Sequence, residues 1–203
     1  MNAIVLRHEG YKVHVYERSP SSALHSEAAG LGVGPNVHAF IQTYIPNAKD
    51  YAIRLTDMEI WNEKAELQER MPLPYVMRMT NWRTMYDILK EALLDDRLDL
   101  PVATYRTYTE VVDVREENGT DVSVRYRELD TGTEATLRAN LVIAADGANS
   151  SVRRRLWHDE SPGYAGYILW RGRASDKQVS EGAQDALRGK SVFQRLQNGY
   201  MLS

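Results

Sequence analysis

The chain contains no cysteine in its 203 residues, which excludes disulfides, thiolate nucleophiles and cysteine metal ligands while leaving the compartment open. It also lacks any apolar run near the roughly 18 residues that a membrane-spanning helix needs. Residues 1–10 do not have the form of a secretory signal, because their short apolar core is interrupted by His8 and Glu9. A strong charge of one sign is missing as well. The 25 Lys and Arg against 28 Asp and Glu leave a net charge of −3, so no broad basic face is available for nucleic acid. The cluster Arg153, Arg154 and Arg155 is too short for that role and suits a cofactor phosphate better. The five histidines, His8, His14, His25, His38 and His158, have no metal-ligand spacing, and no metal site is expected.

What is present reads as a mixed α/β chain without internal repeats, long enough for one substantial core and the beginning of a second. Helices are expected near residues 37–44 and over 82–94, the latter with an apolar face through Trp82, Met85, Tyr86 and Leu89 and with Asn81 or Thr80 as its cap. Residues 54–62 and 67–71 read as a hairpin around Glu63-Lys64. Residues 108–115, 121–127 and 134–139 read as an antiparallel meander separated by Asn-Gly and Thr-Gly turns, which also makes the sequon at Asn118 a hairpin turn. Further strands are expected at 191–193 and 199–202, the last leaving an unpaired edge prone to aggregation.

The most informative stretch is residues 141–156, LVIAADGANSSVRRRL. Residues 141–145 form an unbroken apolar run of the kind expected for a parallel strand covered on both faces. The run ends in Asp146-Gly147, where such a strand hands its chain to a ligand crevice. The glycine permits a tight turn, and the aspartate can bind a hydroxyl or a water.

A second anchor lies near the N-terminus. Residues 12–16 read as a β-rich strand ending at Glu17, the place where a Rossmann unit carries an acid for a ribose hydroxyl, roughly 20 residues after the first glycine of the phosphate loop. A capping role for Glu17 on a surface strand fits the same residues. Residues 2–9 look like the crossover helix, with Gly10 as its C-terminal residue. Counting back from Glu17 runs past Met1, so the first strand and the glycine-rich loop are expected to lie outside this sequence.

The order Asp146, Gly147, Ser150, Arg153 resembles the Asp-Gly motif of the FAD-dependent aromatic hydroxylases, the group A flavoprotein monooxygenases of the para-hydroxybenzoate hydroxylase fold. Residues 30–40, GLGVGPNVHAF, resemble the segment of that family in which a glycine-rich turn leads through Pro-Asn into a helix. With no clear strand of their own before them, and lying after the acid, they are not assigned to pyrophosphate. Residues 163–175, GYAGYILWRGRAS, are similar to the Gly-Tyr-x-x-Trp-Arg-Gly signature of the 2,6-dihydroxypyridine hydroxylase-like branch, and residues 80–89, TNWRTMYDIL, also resemble that branch. Many relatives place a flavin-contacting arginine where this chain has Trp82. Arg83 is one residue later and the contact is not transferred to it. Trp82 and Tyr86 read equally as packing residues, and Arg171 as a surface or interdomain ion pair.

The resemblance implies an α/β fold: a Rossmann-like FAD-binding domain with an antiparallel β-meander over 1–160, lacking its first strand and glycine-rich loop, and the start of a mixed-sheet substrate domain over 161–203. It implies FAD as cofactor, NADH or NADPH as co-substrate and O2-dependent hydroxylation of a small aromatic or heteroaromatic ring in the cytosol. Glu17 would bind the adenosine ribose, Asp146 and Gly147 the flavin phosphate region, and Arg153 the phosphates of the nicotinamide cofactor. No catalytic acid or base is assigned. Two other readings fit: a non-catalytic fragment or degenerate paralogue, and another Rossmann-type NAD(P)-dependent oxidoreductase.

Overall fold

The computed structural model describes residues 1–24, 30–156, 163–169 and 174–202. In chain order the elements are α1 (Asn2–His8), β1 (Val13–Tyr16), α2 (Ser21–Leu24), β2 (Gly30–Val33), α3 (Pro35–Tyr44), β3 (Ile53–Trp61), β4 (Leu67–Asn81) and α4 (Trp82–Leu94). These are followed by β5 (Ala103–Arg106), β6 (Thr109–Glu117), β7 (Asp121–Glu128), β8 (Glu134–Ala139), α5 (Ser151–Leu156), α6 (Glu181–Leu187), β9 (Val192–Leu196) and β10 (Gly199–Leu202). They fall into two units, one of Asn2–Ser26 with Asp96–Leu169, the other of Met1, Glu27–Asp95 and Trp170–Ser203.

In the first unit, α1 ends as its sequence requires. Gly10 has φ 92°, and the amides of Gly10 and Tyr11 return to the carbonyls of Arg7 (3.1 Å) and Leu6 (3.0 Å), satisfying carbonyls that the last helical turn would otherwise leave open. Buried Arg7 donates from Nε to the Pro101 carbonyl at 2.8 Å, tying the helix to the chain that enters β5. β1 and β5 pair in parallel, Val13 opposite Ala103 and Tyr16 opposite Arg106. This parallel pair packs beside α1. β6, β7 and β8 form the antiparallel meander. Its first turn spans residues 118–120 between paired Glu117 and Asp121, with Asn118 (φ 55°) and Gly119 (φ 74°) supplying consecutive positive angles that suit the twist of the flanking strands.

The expected buried strand at 141–145 is not formed. The segment has no regular secondary structure, and Leu141 and Ile143 are 63% and 47% exposed. A strand is stabilised by its neighbours rather than by its own composition, and among the described residues no strand pairs with this one. Its backbone groups are left to solvent, and apolar character alone does not bury it.

The second unit holds a five-stranded sheet in the order β10-β9-β3-β4-β2. β4 runs on to Asn81, well past the expected end at residue 71 and in spite of Pro72 and Pro74. The register with β3 explains this: it steps from Leu55 opposite Met77 to Asp57 opposite Pro72. The intervening residues of β4 form a bulge in which Pro74 owes no ladder hydrogen bond to β3. The glycine-rich Gly30–Val33 is itself a strand, antiparallel to β4, and leads through Gly34 to Pro35 at the first turn of α3, where the missing proline N–H costs nothing.

α4 begins where Asn81 Oδ1 accepts the Thr84 amide at 2.9 Å. Trp82 stacks on Tyr86, with ring centroids 5.0 Å apart. β9 lies parallel to β3, with Val192 opposite Glu59 and fully buried. β10 pairs with β9 and closes one edge of the sheet.

Candidate functional site

The Asp-Gly turn is organised by one carboxylate. Asp146 Oδ1 accepts from Ser150 Oγ at 2.6 Å, and its Oδ2 accepts the amides of Ser151 (2.8 Å) and Val152 (3.3 Å) and the Ser151 hydroxyl (3.3 Å). Asp146 therefore caps the first turn of α5, taking up amides that a helix start leaves without partners. Burial alone would raise its pKa, but hydrogen bonds from Ser150, Val152 and Ser151 outweigh burial and hold it below the ordinary carboxylate value. Ser150, itself buried, also accepts the Arg153 amide at 2.9 Å, so one hydroxyl joins the turn to the helix.

Gly147 has φ 75°, a left-handed conformation that side chains with a Cβ adopt at a cost. No atom lies within 4 Å of where its Cβ would stand. The requirement for glycine is thus conformational, and the space beside the turn is open. The Arg153 guanidinium folds back to donate to the Ala148 carbonyl, which leaves its remaining donors on the exposed side.

The last turn of α5 is held from the meander. Arg155 Nη1 donates to the Val112 carbonyl at 2.7 Å and to Asp113 Oδ1 at 2.8 Å. Asp113 is 6% exposed and is also ion-paired with Arg115 (2.8 Å) and Arg125 (3.7 Å). Burial would raise its pKa; Arg115, Arg155 and Arg125 together lower it. Between β6 and α5 lies a cavity of ≈ 310 Å³ lined by Val111, Val114, Val152, Arg154 and Leu156 among others.

Of the residues singled out in the sequence, Asp146, Gly147 and Arg153 come together in this turn. Glu17 stands elsewhere, just past β1. Its carboxylate accepts the Ser19 amide at 2.7 Å, while its backbone extends the β1–β5 ladder to the Arg106 carbonyl at 2.8 Å. Arg171 lies outside the described residues. Sequence reasoning missed Asp113. Its one signal was a lone acid within a valine-rich strand, and nothing local pointed to an arginine 42 residues later. Among the described residues no cluster of three or more His, Asp or Glu is placed to hold a metal, and no helix is long and apolar enough to cross a membrane.

A parallel strand pair with its helix, an antiparallel meander and a capped Asp-Gly turn at a helix start together make a mixed α/β architecture. Solved structures share it: p-nitrophenol 4-monooxygenase PnpA from Pseudomonas putida matches 74% of this chain and 38% of its own, with TM-score 0.61 at 22% identity. The flavin-dependent monooxygenase PieE, solved with FAD and substrate, matches 76% of this chain and 29% of its own, with TM-score 0.62 at 17% identity. The chain belongs to the FAD binding domain family, whose profile matches residues 1–171.

Among curated proteins, the chain is similar to 2,6-dihydroxypyridine 3-monooxygenase of Paenarthrobacter nicotinovorans, at 28% identity over 99% of this chain and 47% of that protein. It is also similar to 6-hydroxynicotinate 3-monooxygenase of Pseudomonas fluorescens, at 29% identity over 89% of this chain and 46% of that protein. It spans about half the length of these relatives.

Proposed function

We propose that this chain is the FAD-binding part of a monooxygenase that uses NADH or NADPH and O2 to hydroxylate a small aromatic or heteroaromatic compound in the cytoplasm. The observation that carries the reading is the Asp146–Gly147 turn. Its carboxylate is committed to its own helix, and its glycine leaves open space beside the backbone. A turn of this kind fits a dinucleotide laid against main-chain atoms rather than one ligated by the aspartate itself. The match of the family profile through residue 171 supports FAD as the nucleotide.

In this reading Gly147 lets the flavin phosphate region approach the backbone, and Asp146 keeps the turn in shape. Arg153 offers its free donors to the phosphates of the nicotinamide cofactor, and Glu17 accepts from the adenosine ribose. The redox and oxygen chemistry is the cofactor's own; the chain binds and orients it. Residues 1–160 are read as the FAD/NAD(P)-binding domain and 161–203 as the beginning of the substrate domain. The names of the curated relatives support a hydroxylated pyridine ring as substrate class.

The test is the visible spectrum of the purified chain before and after incubation with FAD, followed by NADH and NADPH oxidation with a panel of hydroxypyridines. Flavin uptake on incubation, seen as bound-flavin absorbance bands, is expected. Absence of any flavin interaction would count against the reading. Nicotinamide oxidation stimulated by a hydroxypyridine would extend it to the whole reaction.

A further inference from the structure

On the sheet of the second unit, Arg78 of β4 stands directly opposite Arg54 of β3, in a row that continues to buried Val33 of β2. Directly opposed residues share a face with Cβ atoms about 5 Å apart, and like charges so placed repel. No carboxylate among the described residues is ion-paired with either guanidinium. A third nitrogen base joins them. His38 of α3 is half-buried, with Nδ1 2.7 Å from the Tyr51 hydroxyl. Tyr51 is in turn fixed by its carbonyl, which accepts from Thr80 Oγ1 at 2.5 Å.

The His38 pKa lies below its ordinary value, through burial first, then Arg78, then Arg54. These are the charged groups facing it from β4 and β3, with Tyr51 facing it from the segment before β3. The Tyr51 phenol is shifted upward by burial, against the opposing effect of Arg78, and so is held protonated. Two permanent cations thus stand beside a hydrogen-bonded phenol and imidazole, and among the described residues no carboxylate pairs with either cation.

We infer that Arg54, Arg78, His38 and Tyr51 form a binding site for a small oxyanion, either a carboxylate or a phosphate group. The guanidiniums supply planar forked donors matched to such oxygens, and the anion removes the repulsion between them. Binding also reverses the electrostatics at His38. Arg78 and Arg54 disfavour the charged imidazole, and an anion held between them offsets this, so anion affinity rises as pH falls through the histidine range. The site does not depend on the chain's binding flavin.

The test is NMR titration of the full chain labelled at histidine Cε1, with the His38 signal assigned from H38Q. It is run in chloride, in inorganic phosphate and in benzoate at matched ionic strength. The oxyanion that fits is expected to raise the His38 midpoint by about one unit, equivalent to a roughly tenfold preference for the protonated site. Arg54→Gln and Arg78→Gln should each abolish the rise. A shift with phosphate alone identifies a phosphate ligand, and a shift with benzoate alone an aromatic carboxylate. A midpoint unmoved by both anions, or a rise that survives both arginine substitutions, overturns the inference. The wild-type titrations alone decide this if a variant fails to fold.

Discussion

Arg155 at the end of α5 places Nη1 2.8 Å from the buried carboxylate of Asp113 on β6, linking the Asp-Gly helix to the meander across 42 residues. Because Asp113 is held below the ordinary carboxylate pKa, the link contributes stability above the unfolded value of about 4 and loses it as pH falls through the lower folded value. Asp113→Asn is therefore expected to destabilise the chain at neutral pH and to flatten its acid unfolding limb, measured by circular dichroism against pH. An unchanged acid limb would show that the carboxylate does not carry this link. Arg155→Gln keeps the carboxylate's other two partners and is expected to cost only about 1 kcal/mol, since the guanidinium is half-exposed.

Ser150→Ala removes the hydroxyl that joins Asp146 to the Arg153 amide. A loss of about 1 kcal/mol in unfolding free energy is expected. The Asp146 pKa should also move up toward its ordinary value, read by carboxyl NMR. The direction follows from Ser150 being the foremost of the hydrogen bonds that lower it.

The contrast between core and exposed apolar residues tests the conformation of residues 141–145. Ile41→Ala, at a position 2% exposed on α3, is expected to cost roughly 2–4 kcal/mol. Leu141→Ala is expected to stay within about 0.5 kcal/mol. A core-sized cost at Leu141, measured by urea unfolding, would show that the segment is buried after all.

As the edge strand of the sheet among the described residues, β10 has Tyr200, Met201 and Leu202 exposed. Met201→Lys is expected to lower concentration-dependent aggregation with little change in stability, because a charge on an edge strand opposes pairing with another chain. Light scattering against concentration measures it.

What could be read in the sequence was what short-range rules govern. Helix α4 has the expected limits, since Asn81 caps it and its apolar spacing is regular. The meander follows from alternating strands and from a turn at Asn118-Gly119 whose positive angles leave little choice of partner. Gly10 ends α1 for the same local reason. Non-local geometry was not legible. The apolar run at 141–145 has the composition of a buried strand but pairs with no strand among the described residues. β4 runs on past Pro74 because a bulge opposite β3 absorbs it, and Gly30–Val33 becomes a strand because β4 extends far enough to pair with it. At the site, the order Asp146, Gly147, Ser150, Arg153 was visible, but the direction of the Asp146 carboxylate, inward to its own helix, was not. Nor was the Asp113 anchor, because an ion pair across 42 residues leaves no spacing to detect.

The most direct measurement is the polarisation of FAD fluorescence titrated with the full chain and with its Gly147→Val variant. Saturable binding is expected for the chain. It should be lost in the variant, whose branched side chain both fills the open space beside the turn and resists the left-handed conformation. Absence of saturable binding by the chain, or equal binding by the variant, would contradict a flavin site built on the Asp146–Gly147 turn.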